Sequence, residues 1–309
     1  MTAARLLLLA AATLAAAALA VAAPQPAPQV LTVDGVRLQI ESSGDDFEAG
    51  GAVIDTWLRR SAGIVAAYYG RFPVSAVTIE LRVGPGSGVQ GGSTYADPQA
   101  LIRVRVGREV SAAQLADDWV MVHEMTHLAL PDVGAEHAWL SEGLATYVEG
   151  IARVQAGNRT EQDVWAEELR QMPRGLPQAG DAGLDRTHTW GRTYWGGAMF
   201  CLIADVDIRR RTHNARGLQD AVRAIARASG GLSAEWPIER VLHTGDAAVG
   251  TTSLEDLYAR MKDSNWAPDL PALWRELGVT ADAEAVHLSD DAPLAAIRHS
   301  IMTAPAPRS

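Results

Sequence analysis

The sequence predicts an α+β protein with a small mixed sheet on its N-terminal side and a helical C-terminal part. Two observations lead there. Strand-like alternation fills the first third and gives way to helical spacing near Ser111. The chain, 309 residues with 48% hydrophobic and 21% charged, can also bury a sizeable core. Residues 6–23 are apolar except Thr13, follow Arg5 and precede a Pro-rich stretch, which reads as a signal peptide over 1–23 cut near Ala22 or Ala23. Retention of that segment as a membrane anchor is the rival reading, and only then is a membrane a partner.

Val30 to Ile40 alternates as a strand or hairpin around Asp34-Gly35, and Gly51 to Tyr69 has helical apolar spacing. Val74 to Val83 reads as a strand, 84–92 (GPGSGVQGG) as a flexible loop leading into Ser93 to Ala96, and 101–106 (LIRVRV) as a half-exposed strand. Helices are expected over 112–130, 138–156, 161–172, 194–211, 216–228, 254–263 and 268–277. Thr160 with Asp163 and Ser253 with Asp256 read as capping boxes if aspartate stands in for glutamate. Residues 175–193 form a long irregular connection of the kind that often carries function. The chain thus divides into 1–23, an N-terminal α/β part over 24–110 and a helical part over 111–309.

A net charge of -10, with Lys262 the only lysine, argues against nucleic acid as a partner. Export would permit disulfides, but Cys201 is the only cysteine, and its apolar setting AMFCLIA makes it a packed core thiol. An exported, periplasmic or secreted acidic domain is the expectation.

His123-Glu124-Met125-Thr126-His127 is H-E-x-x-H on the helix expected over 112–130. Four helical residues return to within about 40° of the starting direction, so both imidazoles leave one face and can take two corners of a zinc tetrahedron. Leu115, Trp119, Val120, Met121, Val122, Met125, Leu128 and Leu130 surround them, so the helix is buried and its polar groups need a partner that a metal supplies.

Twelve residues after His127, Trp139-Leu140-Ser141-Glu142-Gly143-Leu144-Ala145-Thr146-Tyr147 resembles the W-L-x-E-G-x-A-x-Y helix of gluzincin metallopeptidases, the thermolysin and aminopeptidase N superfamily. The resemblance implies a gluzincin-type fold with one Zn2+ ion in the cleft between its two parts, Glu142 as the third ligand and Glu124 as general base. On the second helix, Glu142, Thr146 and Glu149 make one polar stripe. Thr146 is a candidate to hydrogen-bond a zinc histidine and fix its tautomer, or else bonds its own helix carbonyl. Tyr194-Trp195-Gly196-Gly197 is similar to the Y-x-K-G segment of aminopeptidase N relatives, with Gly196 at the lysine position. The run through residue 225 is similar to the glycyl aminopeptidase family, without a PDZ-like segment. By that resemblance Tyr194 is the oxyanion donor, with His188 as the rival.

The likeness spans about residues 90–225 and implies a peptide or protein substrate lying along an edge strand. Gly91 and Gly92 match the glycines that let a peptide approach that strand, while Thr94 stands where aminopeptidase N relatives place an amine-binding glutamate. An endopeptidase is therefore expected. A zinc aminopeptidase with Asp97 as substitute acid, a non-catalytic peptide-binding module and a hydrolase of another amide or ester are the alternatives.

Overall fold

The computed structural model describes residues 29–96, 99–282 and 285–304. The segment expected as a signal peptide, and Asp97, lie outside them. Five strands form one sheet in the order β1-β2-β3-β5-β4. Strands β1 (Gln29–Val33) and β2 (Val36–Gly44) make an antiparallel hairpin turning at Asp34 and Gly35, both at positive φ. Helix α1 (Gly51–Tyr69) then crosses over to β3 (Ala76–Gly84), which pairs parallel with β2. The apolar positions of α1 bury Ile54, Trp57, Leu58, Val65 and Tyr68, and those of β3 bury Val77, Ile79, Leu81 and Val83. Strand β5 (Leu101–Gly107) runs parallel to β3, and β4 (Val89–Tyr95) lies antiparallel to β5 at the sheet's edge.

Strand β4 begins inside the segment read as loop, so Gly91 and Gly92 are strand residues. Pairing with β5 supplies the hydrogen bonds that glycine's own propensity does not favour, and a register shift between Val89 and Gly91 absorbs the irregularity.

The helix expected over 112–130 is two helices, α2 (Ala112–Ala116) and α3 (Val120–His127). Asp118 ends one and starts the other: its carboxylate accepts from the amides of Val120 at 3.1 Å and Met121 at 3.0 Å and from Trp57 Nε1 at 2.9 Å. Capping thus overrides the continuous apolar pattern.

After α3 come α4 (Ala138–Gln155), α5 (Glu161–Gln171), α6 (Gly197–Arg211) and α7 (Leu218–Ser229). Then follow α8 (Ile238–Val249), α9 (Ser253–Met261), α10 (Leu270–Leu277), the short hairpin β6 (Val279–Ala281) with β7 (Val286–Leu288), and α11 (Ala295–Met302). Thr160 caps α5, accepting from the Asp163 amide at 3.2 Å, but the expected box does not close, because the Asp163 carboxylate accepts from the Thr160 hydroxyl rather than from its amide. Ser253 does not cap α9. Asp246 of α8 reaches across to the amides of Leu254 at 3.0 Å and Glu255 at 2.9 Å, and Ser253 is buried as the first helical residue. Cys201 is buried in α6. Among the described residues no helix is long and apolar enough to cross a membrane.

Candidate active site

Helices α3 and α4 bring His123, His127 and Glu142 together. Ligand-type atoms of the three lie within 4.8 Å of one another, and no other such trio of His, Cys, Asp or Glu occurs among the described residues. A Glu142 oxygen sits 3.3 Å from His123 Nε2 and 3.5 Å from His127 Nε2. Burial alone would raise the Glu142 carboxyl, but hydrogen bonds and charge from the two imidazoles outweigh it and hold it well below the usual carboxylate range. Two imidazole nitrogens and one carboxylate oxygen converging on a point are a donor set that fits zinc with a fourth position open.

The orientation of the ligands has visible causes. His127 points Nε2 at Glu142 and Nδ1 at Ser141 Oγ, 2.9 Å away, so with a metal on Nε2 the Nδ1 would carry the proton and donate to that hydroxyl. The sequence offered Thr146 as partner of a zinc histidine or of its own helix carbonyl; at His127 the neighbour is Ser141. Ser141 fills that place because His127 lies beside the first turn of α4, whereas Thr146 lies one turn past Glu142, in a wall shared with His123. The signal was present in the sequence, since Ser141 adjoins Glu142. Glu149, read as part of the same polar stripe, is buried and paired with Arg153 at 2.9 Å.

Glu124 is not one of the trio. Its Oε2 accepts from Thr94 Oγ1 at 2.7 Å, and the same hydroxyl lies 2.9 Å from the Glu124 carbonyl oxygen. Its side chain rests on Gly92, where a Cβ would stand 2.6 Å from Glu124 Cγ. Edge strand β4 therefore holds this carboxylate, a contact between distant segments that sequence reasoning missed. Gly91 lies at φ 138°, with its Cβ position facing the Arg105 side chain.

Tyr194 lies on a π-helical turn, Gly191–Gly196, that leads into α6. The turn is pressed onto α4: a Cβ on Gly143 would lie 2.2 Å from Gly197 Cα, and one on Gly197 would lie 2.0 Å from the Trp139 carbonyl oxygen. Only glycine at both positions allows this backbone contact, which sets Tyr194 against Glu142 and stacks it 6.4 Å from the His123 ring. Burial, then the neighbouring Glu142 and Glu124 carboxylates, push the Tyr194 hydroxyl up to about 12. It remains a donor at neutral pH.

His188 is exposed and lines neither cavity described next. His137 ends a short 3-10 turn and bonds Asp185 through Nδ1 at 3.1 Å, while Trp139 Nε1 and the Tyr258 hydroxyl reach the same carboxylate at 2.8 and 2.7 Å. It stays outside the metal trio.

Two cavities flank the trio and share His123 and Tyr194 as walls. One, of about 510 Å³, lies on the sheet side between β4 and the start of α4 and contains Glu124 and Glu142. The other, of about 600 Å³, lies on the helix side between α4, α5 and residues 190–195.

No family model matches the sequence, and no curated protein matches it. Solved structures do. An aminopeptidase N family protein from Idiomarina loihiensis superposes with a TM-score of 0.61 at 15% identity, over 82% of this chain and 49% of its own. An M1 zinc metallopeptidase from Deinococcus radiodurans gives 0.50 at 15%, over 79% and 52%. The chain thus has the α+β fold of M1 zinc metallopeptidases, in agreement with the gluzincin-type expectation, and spans about half the length of these structures.

Proposed function

We propose that the chain is an exported, zinc-dependent peptide hydrolase that holds one zinc ion through His123, His127 and Glu142 and cuts within peptides. The observation that carries this reading is the place of Glu124: a carboxylate beside the ligand trio and outside it, held by Thr94 over Gly92. A zinc ion bound there supplies Lewis acidity, polarising the scissile carbonyl and making water acidic near neutral pH. Glu124 accepts the proton of the attacking water and passes it to the leaving amine. The protonated Tyr194 hydroxyl donates to the oxyanion of the tetrahedral intermediate. The outer edge of β4, unpaired among the described residues, binds an extended peptide through backbone hydrogen bonds. Export rests on the sequence of residues 1–23.

The preference for internal bonds rests on Thr94, whose hydroxyl is engaged by Glu124 and which has no carboxylate to pair with an ammonium. One further acid, Asp132, lines the sheet-side cavity, and its Oδ1 accepts from the Gly134 amide at 2.9 Å. The test has two parts. Metal analysis should find one zinc in the wild type and in Glu124→Gln and none in His123→Ala, while Glu124→Gln loses about 10² to 10⁴ in peptide turnover. Wild-type turnover in Glu124→Gln overturns the mechanism. A peptide and its N-acetylated twin should be cut comparably; a large preference for the free amine, lost in Asp132→Asn, would replace this reading by an aminopeptidase.

A further inference from the structure

The helix-side cavity opens beside His123 and Tyr194 and is walled by groups the reaction does not use. Most of its charges are already matched. Arg153 donates to Glu149 at 2.9 Å and to Asp117 at 3.0 Å, Arg159 pairs with Glu167 at 2.7 Å, and the Arg174 guanidinium lies 5.8 Å from the centre of the Trp190 ring. Among the described residues Glu168 has neither an ion-pair nor a ring partner. It is only 4% exposed, and its Oε2 has no partner. Gln171, nearly one helical turn along α5 in the same wall, also has an unpartnered buried oxygen, Oε1. Two buried acceptors without donors are costly and uncommon in folded proteins.

A cation bearing several N–H donors would satisfy both at once. An apolar group or an ionised acid carries no N–H donor and would leave both unpaired. At the mouth, Trp119 packs edge-on against His123 at 5.6 Å and Trp190 stacks on Tyr194 at 5.8 Å. Both tryptophans are more than half exposed, at 53% and 56%. Such aromatic faces suit the methylene stem and the charge of a long basic side chain. We propose that this cavity is a specificity pocket for lysine or arginine, its head bound by Glu168 and Gln171, at the substrate residue next to the scissile bond. Burial, with Glu167 and Glu149 nearby, pushes the Glu168 carboxyl up to about 8, so the group holds its proton near neutral pH and would release it on pairing with a cation.

The inference rests on the peptidase reading, so its test separates binding from turnover. Zinc-loaded Glu124→Gln protein is titrated calorimetrically with a peptide set in which one lysine, arginine, norleucine or glutamate is moved through the positions around the bond cut by the wild type. If the wild type cuts none, the set is scanned along a fixed alanine peptide. Expected is one position at which lysine or arginine binds roughly ten- to hundredfold more tightly than norleucine. Adding Glu168→Gln, or separately Glu168→Leu, should bring that ratio near one, with thermal melting checking that each variant is folded. Equal binding of lysine and norleucine at every position overturns the pocket, as does a lysine preference that survives both substitutions. A Glu168-dependent preference without wild-type cleavage would keep the pocket and sink the peptidase reading.

Discussion

The two cavities beside the metal trio are built from different materials. On the sheet side, around Glu124 and the trio, the walls are in large part backbone and small side chains, Gly92, Ser93, Gly134, Ala135 and Ala138, with Tyr95 and Leu232 among the larger ones, along a strand edge that has no neighbour among the described residues. On the helix side they are arginines, glutamates and tryptophans, most already paired. A wall of main chain can grip any extended peptide, because every residue offers the same N–H and C=O. A wall of fixed charges discriminates, because a wrong side chain leaves buried groups unpaired. On the proposed reading their shared walls, His123 and Tyr194, would set the bond to be cut between a general grip and a selective one.

The largest effects should come where the sheet side touches the chemistry. Gly92→Ala puts a Cβ where Glu124 Cγ must lie, 2.6 Å away, so the carboxylate has to move. We expect zinc to be retained and kcat to fall about 10², the usual result of misplacing a reacting group by about 1 Å. Unchanged kcat would mean that β4 does not position Glu124. At the shared wall, Tyr194→Phe should lower kcat by about 10² with little change in KM. An unaffected rate would transfer the oxyanion role to another donor, and exposed His188 would first have to approach the metal site for that.

A smaller effect is expected behind the ligands. Ser141→Ala removes the acceptor that fixes His127 Nδ1 and should weaken zinc binding roughly 10- to 100-fold, read by competition with a chelator. Thr146→Val should leave zinc affinity close to wild type, because Thr146 is not the partner of His127. Equal losses in the two variants would show that both hydroxyls serve the histidines.

How far the sequence reached follows the same division. His123 and His127 were legible because helical spacing fixes which residues share a face, and Glu142 because the Trp-Leu-Ser-Glu-Gly segment resembles the second helix of gluzincins. The hold of Thr94 on Glu124 was not, because it joins residues thirty apart through a sheet edge whose start the glycines disguised. The break at Asp118 was hidden for a related reason: its capping is completed by Trp57 of α1, which helix spacing cannot reveal. Helices α8 and α11 passed unread although α8 carries the aspartate that starts α9. Glu168 was invisible as a candidate, since a glutamate on a polar helix is ordinarily solvated; the tertiary packing of α5 buries it.

That burial gives the smallest of the expected effects and the most direct check that the helix-side wall is built for a ligand. Glu168 has its carboxyl raised from an ordinary 4.5 to about 8 by desolvation first, then by Glu167 and Glu149, with Arg159 opposing. Between those values the unfolded chain has released the Glu168 proton while the folded chain keeps it. The folded state then binds more protons, so stability falls as pH rises through that window. Glu168→Gln removes the titration and should leave the melting temperature near wild type at pH 4 but raise it by a few °C at pH 8.5. A basic peptide should reduce this difference by stabilising the wild type more than the variant, since it binds the folded wild-type pocket more tightly. Identical melting of the two proteins at pH 8.5 would mean that Glu168 is compensated in solution, and the contrast between a general sheet side and a selective helix side would lose its main support.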